Sequence, residues 1–194
     1  ATIFVEMMGN KVCSKGKYAF IIPPSWMFLP SFEKLRKLIL ENHSIDSFVH
    51  LSNGAFGGDF GSTPCVISKI KAKSYGIYFR IVEKTFQFID QKHLEIIFLN
   101  ALKNHEYKFD FATYDKANPN FADDPKGKQI YYDGIDQHVF FDIPGTPIAY
   151  WLGSNVLKCF QHSTIKEITI SDGQTKTGDN NKFLRMIWEV SSRD

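Results

Sequence analysis

The chain has 194 residues, a formal net charge of +2 and 43% hydrophobic residues. This length allows one domain, or one and a half, with a substantial core, and so small a charge does not by itself indicate a nucleic-acid-binding protein. No stretch reaches the roughly 18 apolar residues that a membrane-spanning helix requires, so we expect no membrane association. Three widely spaced cysteines, Cys13, Cys65 and Cys159, favour buried, reduced thiols and a cytoplasmic protein.

The first elements in chain order are a helix, a strand and a second helix. Residues 2–12 predict an amphipathic helix that ends near Gly16, a residue suited to a left-handed C-terminal cap. The apolar run 18–22 is typical of a strand buried on both faces, and the prolines at 23 and 24 end it. Ser31 is the predicted N-cap of the second helix.

The next elements predict a mixed sheet. Residues 45–51 form a predicted strand, residues 53–61 a glycine-rich loop, and residues 63–70 and 76–82 a predicted hairpin. Strands that alternate with helices and then pair with their neighbours indicate an α/β fold with a mixed sheet and flanking helices.

The second half is predicted to be more irregular. It contains a helix over residues 88–104, a strand over 107–112, a solvated loop over 115–128, a helix over 148–160 and a strand-rich segment over 165–190. The sequence begins inside a helical pattern and stops soon after a strand, so we expect a piece of a larger protein.

The glycine-rich loop is the first candidate site. Its backbone amides could bind phosphate, but nucleotide-binding loops lie between a strand and a helix, and here a strand follows. Phe56 in this loop has two interpretations. Composition favours a ring packed into the core, and the alternative is a ring that contacts the flat face of a ligand.

The residues favour neither a metal site nor a hydrolase. His43 and His50 lack the spacing of metal ligands, and Ser25 lacks a Gly-x-Ser-x-Gly context. Asp133 and Asp136, with the nearby His138, are expected to be solvated charges in a loop.

The segment 177–185, TGDNNKFLR, has the cationic and amide side chains that contact phosphate oxygens. An ordinary polar turn with surface cations explains it equally well, and the residues alone do not decide between the two.

Four segments together resemble a known family. They are YAFIIPPSWMFLPSFEKLR at 18–36, HLSNGAF at 50–56, IPGTPIAYW at 143–151 and TGDNNKFLR at 177–185. In this order they resemble the PglX-type adenine-specific DNA methyltransferases of BREX phage-defence systems and, more loosely, type IIG restriction-modification methylases. The resemblance covers nearly the whole chain.

The resemblance implies a function and site residues. Such enzymes transfer a methyl group from S-adenosylmethionine to N6 of an adenine flipped out of double-stranded DNA. Phe56 matches the aromatic that stacks on the extruded base, which reverses the preference for a buried ring. Asn180, Lys182 and Arg185 match the entry to the target-recognition region and are implied DNA contacts. Other subunits of a phage-defence system are implied partners.

The resemblance also implies a domain organisation. Residues 1–82 resemble the second half of a Rossmann-like catalytic domain, residues 83–162 a helical and loop extension of it, and residues 163–194 the truncated start of the target-recognition domain. A small strand-rich segment therefore follows the α/β part.

Several family motifs are absent from the sequence. No Asn-Pro-Pro-Tyr or Asn-Pro-Pro-Phe is present, and the cofactor-binding motifs are missing as well. We therefore expect no catalytic residues, no metal and no S-adenosylmethionine binding in this piece, although the longer enzyme would need that cofactor. The alternatives are a catalytically dead DNA-binding or assembly module with the same fold and, more remotely, an unrelated small-molecule enzyme.

Overall fold

A computed structural model of the chain describes residues 2–56, 60–70, 75–84, 87–162 and 167. Its contacts divide the chain into a unit of residues 1–161 and a unit of residues 162–194. The segment 177–185, with Asn180, Lys182 and Arg185, lies outside the described residues.

The first unit is built on a five-stranded mixed sheet, which confirms the predicted α/β fold. The strand order is β1-β3-β2-β4-β7. Strand β3 is antiparallel to both β1 and β2, β4 is parallel to β2, and β7 is antiparallel to β4. Three strands, β1, β2 and β4, therefore run in the same direction. The strands are β1 (Lys17–Ile22), β2 (Ser44–Leu51), β3 (Thr63–Ser68), β4 (Tyr75–Ile81) and β7 (Tyr131–Asp136).

The remaining elements flank this sheet. The α-helices are α1 (Thr2–Lys11), α2 (Glu33–Asn42), α3 (Gln91–Lys103) and α4 (Ser154–Cys159), and β5 (Lys108–Phe109) pairs with β6 (Lys128–Gln129) in a small second sheet. Three 3-10 turns lie at Pro24–Met27, Pro30–Phe32 and Gln137–Asp142. Among the described residues, we find no helix of the length and apolarity that a bilayer crossing demands.

The predicted hairpin of β3 and β4 is wrong, because β2 lies between these two strands. Parallel pairing of β2 with β4 sets Phe48 beside Tyr78, and both side chains are fully buried. Gly76 permits this pairing, since a Cβ there would lie 2.6 Å from the carbonyl oxygen of Ile45 on β2. The apolar surface buried by the parallel pair stabilises the fold by more than the longer connection costs in loop-closure entropy, so no hairpin forms.

The prediction that β1 is buried on both faces is also wrong. Within the described residues β1 is an edge strand, and its burial alternates: Tyr18, Phe20 and Ile22 point into the core, whereas Ile21 is 58% exposed. A wholly apolar run does not reveal such alternation, because both faces carry the same kind of side chain.

Several predicted ends and caps differ from the structure. Helix α2 begins at Glu33, after a 3-10 turn that contains Ser31, and its N-cap is Phe32 without a side-chain cap. The left-handed residue after α1 is Lys15, with a φ of 63°, rather than Gly16. Only Cys65 of the three cysteines is buried.

The region after residue 130 shows the largest differences. The predicted loop with Asp133 and Asp136 is strand β7. The predicted helix over residues 148–160 is confined to Ser154–Cys159, because the preceding residues form a wall of the cavity described below.

The core has two parts. One contains Phe48, Tyr78 and Trp26 with residues of α2, and the other contains Ile81 and Ile97 with residues of α3. Sheet and helices therefore fix the ends of β1, β2 and β4 relative to one another.

Candidate functional site

A cavity of about 700 Å³ lies where β1, β2 and β4 end. Because these strands run in the same direction, their carboxyl ends meet at one edge of the sheet, which is where open α/β sheets bind ligands. The cavity is lined by Pro23, Pro24, Ser25, Met27, Phe28, His50, Leu51, Ser52, Asn53, Phe60, Gly61, Arg80, Val82, Glu83, Lys84, Pro147, Ile148, Ala149 and Trp151.

Arg36 of α2 joins two walls of this cavity. Its side chain is fully buried, and its guanidinium donates hydrogen bonds to the carbonyl oxygens of Trp26, Leu29, Gly145 and Thr146. Burial lowers the pKa of Arg36 from its ordinary value, and Glu33 opposes this shift. The backbone oxygens therefore take the place of a carboxylate partner and fix residues 26–29 against residues 145–146.

The same two walls share a backbone hydrogen bond from the Ile148 N–H to the Met27 carbonyl, 2.9 Å long. Gly145 and Thr146 both have positive φ, of 81° and 48°. This sharp bend turns residues 147–151 toward the cavity instead of letting them continue as a helix, which is the physical reason for the shortened helix noted above.

Two backbone hydrogen bonds hold the first residues of the loop that carries Phe56. The Asn53 N–H donates to the Gln87 carbonyl at 2.9 Å, and the Ile89 N–H donates to the Asn53 carbonyl at 3.0 Å. Gly54 has a φ of 98°, and a Cβ there would collide with the Ile89 carbonyl oxygen, so this position requires glycine. Residues 53–55 are therefore held in place, and Phe56 follows directly.

Phe56 is exposed, as the resemblance implies, although its role is a separate matter. Its side chain is 64% accessible, the same value as that of Phe60 in the same loop. Phe60 lines the cavity, whereas Phe56 is not among the described lining residues.

The sequence analysis did not assign His50, Arg80 and Trp151 to a common site. His50 and Arg80 are paired in the β2–β4 register, and both lie next to Trp151. Burial and the positive charge of Arg80 lower the pKa of His50 to about 4, so its ring is neutral at pH 7. The sequence does contain one indication of a site at Arg80, because it is the one charged residue in the apolar strand Tyr75–Ile81.

Acidic and metal-ligating side chains are sparse in the described part of the cavity. No group of three or more His, Cys, Asp or Glu side chains among them is arranged to hold a metal ion. The carboxylate among the described lining residues is Glu83, which pairs with Lys128 at 3.6 Å.

Comparison with known proteins gives the relatives of the chain. It is 30% identical over 196 residues to "Adenine-specific methyltransferase PglX" of Lacticaseibacillus casei (strain Zhang), and the match covers 97% of this chain. It is 27% identical to "Adenine-specific methyltransferase BrxX" of Escherichia coli O9:H4 (strain HS), also over 97% of this chain. This chain is homologous to a segment of PglX and BrxX. It spans 14% and 13% of the lengths of these two relatives.

A family model and solved structures also match part of the chain. Residues 1–56 match the family described as Eco57I restriction-modification methylase. The EcoKI M protein of a type I restriction enzyme matches 48% of this chain and 23% of its own at 11% identity and a TM-score of 0.39. The type IIG restriction endonuclease BpuSI matches 68% of this chain and 14% of its own at 12% identity and a TM-score of 0.37.

The segments that resemble PglX come together in the structure. The cavity is lined by residues of segment 18–36, of segment 50–56 and of segment 143–151. These segments are distant along the chain, and the fourth, 177–185, lies outside the described residues. Three of the four segments therefore contribute to one cavity.

Proposed function

We propose that this chain is part of a DNA N6-adenine methyltransferase that uses S-adenosylmethionine. In it, the chain supplies later strands of the catalytic sheet, an aromatic that stacks on the flipped adenine and part of the DNA cleft. The observation that carries the proposal is the convergence of three PglX-like segments on a cavity at the carboxyl ends of parallel strands.

Phe56 is the residue proposed to stack on the extruded adenine. Its ring is exposed, and the preceding backbone is held by two hydrogen bonds to residues 87 and 89. A ring on a fixed base loses little conformational freedom when it stacks on a ligand, and such stacking contributes about 1–3 kcal/mol per base.

Phe60 is the competing candidate, because it is the same residue type in the same loop with the same exposure, and it also lines the cavity. In the longer protein that contains this chain, Phe56→Ala should lower methyl transfer to double-stranded DNA about 10- to 100-fold. Phe56→Trp should retain most of the transfer. Fluorescence of 2-aminopurine at the target position reports flipping directly.

The comparison of the two phenylalanines decides the assignment. Phe60→Ala should have the smaller effect on flipping and on transfer. If Phe60→Ala abolishes flipping while Phe56→Ala does not, the stacking role belongs to Phe60. If the longer protein methylates no adenine in DNA, the proposed activity is wrong.

A second candidate function is a DNA-binding or assembly module without catalysis, for example in contact with other subunits of a phage-defence system. The observation in its favour is that the sequence has no Asn-Pro-Pro-aromatic motif. Such a module should bind duplex DNA by itself with a steep salt dependence, whereas a segment of an enzyme should bind weakly.

Asn180, Lys182 and Arg185 are proposed DNA contacts in both cases. Replacing Lys182 or Arg185 by glutamine should weaken binding uniformly across sequences and reduce the salt slope by about one per residue. An unchanged slope in both variants would exclude them as phosphate contacts.

A further inference from the structure

Strand β7 contains a β-bulge at Asp133 and Gly134. The register between β4 and β7 shifts between Gly76 and Tyr78, where two residues of β7 lie opposite one residue of β4. Neither Asp133 nor Gly134 has a partner in this register. The φ of 66° at Gly134 is the left-handed conformation that glycine adopts readily at such bulges. The ladder of hydrogen bonds between the two strands is therefore interrupted at this pair.

The same two residues are open to solvent. Both are exposed, and β7 is the last strand of its sheet in the described part of the chain. A Cβ at Gly134 would have no neighbour within 4 Å. Water can therefore reach the pair, and the backbone has room to rearrange there.

The side chain of Asp133 lies against the backbone nitrogen of the next residue. The Gly134 N–H donates to Oδ1 of Asp133 at 2.6 Å. This contact holds the nitrogen close to the carboxyl group with which it would form a five-membered ring. Reacting groups that the fold already holds together need no search through other conformations, which lowers the barrier to ring closure. Glycine also hinders attack by its own nitrogen least, because it has no side chain.

We propose that Asp133 is a site of spontaneous modification, where aspartate isomerises to isoaspartate through a succinimide. In the first step the Gly134 nitrogen forms a bond to Cγ of Asp133, and the carboxyl hydroxyl leaves with the amide proton as water. In the second step water opens the ring. Attack at Cγ restores aspartate, whereas attack at the backbone carbonyl carbon leaves the main chain running through the former side chain. Water is the only co-reactant, and the inference does not depend on the proposed function.

The modification should weaken the pairing of β7 with β4. An isoaspartyl linkage adds one methylene carbon to the main chain, so the residues before and after the bulge cannot both keep their register. Before the bulge, Tyr132 packs on the buried Tyr150 with ring centres 5.4 Å apart. After it, residues 135–136 are only half-buried. We therefore expect residues 135–136 to lose their pairing first.

The Asn53–Gly54 pair is an internal control. In an unfolded chain at neutral pH, Asn-Gly closes to a succinimide faster than Asp-Gly, because a carboxylate must be protonated before its oxygen can leave. In the folded chain Asn53 is buried, and its backbone N–H and carbonyl are bonded to Gln87 and Ile89. Folding should therefore reverse the order of the two sites. A second Asp-Gly pair, at 172–173, lies outside the described residues.

The test incubates the 194-residue chain near neutral pH, folded and in parallel unfolded in guanidinium chloride, and maps isoaspartate by electron-transfer mass spectrometry. Folding should slow the reaction at Asn53 more than about tenfold and that at Asp133 less than about tenfold, because only Asn53 requires a local opening. Asp133→Glu keeps the charge and should give no product, since its ring would have six members. Asp133→Asn should lose ammonia at this position faster than Asp133 isomerises.

Circular dichroism of each variant shows that it is folded before the rates are compared. Isoaspartate at position 133 of the folded chain and its absence from Asp133→Glu would support the inference. A reaction at Asp133 that folding slows more than about tenfold would overturn it, and so would a folded Asp133→Asn chain that keeps its amide. An aged chain rich in isoaspartate at 133 should melt below the fresh chain, and equal melting temperatures would overturn the expected effect on β7.

Discussion

Replacing Arg36 with methionine removes the guanidinium that joins two walls of the cavity. Five hydrogen bonds of 2.6 to 3.2 Å connect this group to four backbone carbonyls. A hydrogen bond to a charged group contributes about 1.5–3 kcal/mol, but bonds that share one side chain are not additive. Methionine fills much of the same volume, so the loss comes mainly from carbonyls left without a donor.

We expect Arg36→Met to lower the free energy of unfolding by about 4 kcal/mol, because each buried carbonyl left without a donor costs about 1–3 kcal/mol and the four costs are not fully additive. For a chain of this length the melting temperature should fall by about 8–16 °C. Arg36→Lys should lose roughly half as much free energy, because an ammonium group is charged but cannot reach all four carbonyls.

The assay is urea unfolding followed by the fluorescence of the buried Trp26, with Lys34→Met as the control on the same helix. Lys34 is exposed, and its replacement should change stability by less than about 0.5 kcal/mol. A loss below about 1 kcal/mol in Arg36→Met would show that other donors satisfy these carbonyls. The reasoning that Arg36 holds the two walls together would then be refuted.

Two further predictions concern β2 and β4. Burial and the charge of Arg80 lower the pKa of His50 from its ordinary value of 6.5 to about 4. The contribution of the neutral His50 ring to the free energy of unfolding should therefore be fully present above about pH 6.5. It should fall by up to about 3 kcal/mol as the pH drops toward about 4. His50→Gln should remove most of this pH dependence in a melting series, and an unchanged profile would contradict the assigned pKa. Gly76→Ala should destabilise by about 2–3 kcal/mol, because its Cβ meets the Ile45 carbonyl oxygen at 2.6 Å. A Cβ at Gly153, the N-cap of α4, would have no neighbour within 4 Å, so Gly153→Ala should cost less than about 1 kcal/mol in the same thermal unfolding assay. Equal effects of the two substitutions would contradict the steric argument.

The sequence predicted the elements whose signals are local. Helix α1 and strands β2, β3 and β4 lie within a few residues of their predicted positions, because hydrophobic periodicity and turn residues depend on near neighbours in the chain. Through the resemblance to PglX-type proteins, the sequence also predicted a Phe56 that faces a ligand, whereas composition favoured a buried ring; the ring is exposed, and its contact with a ligand stays a prediction.

Local sequence patterns did not predict the residues of the candidate site. His50 was examined as a metal ligand and dismissed, and Arg80 and Trp151 drew no attention as a site, since nothing near each residue in sequence marks it as part of a cavity. Their proximity follows from the parallel pairing of β2 with β4 and from the bend at Gly145 and Thr146.

By itself, the sequence determined the α/β class of this protein, its mixed sheet and its relationship to PglX-type methyltransferases. These properties follow from the order of apolar runs and from motifs of consecutive residues. Only the tertiary structure decided that β2 separates β3 from β4, that β1 is an edge strand in the described part of the chain, and that three distant motifs surround one cavity. Strand order and burial depend on contacts between residues far apart in the chain. Competing strand pairings bury different amounts of apolar surface, and their free energies differ by only a few kcal/mol.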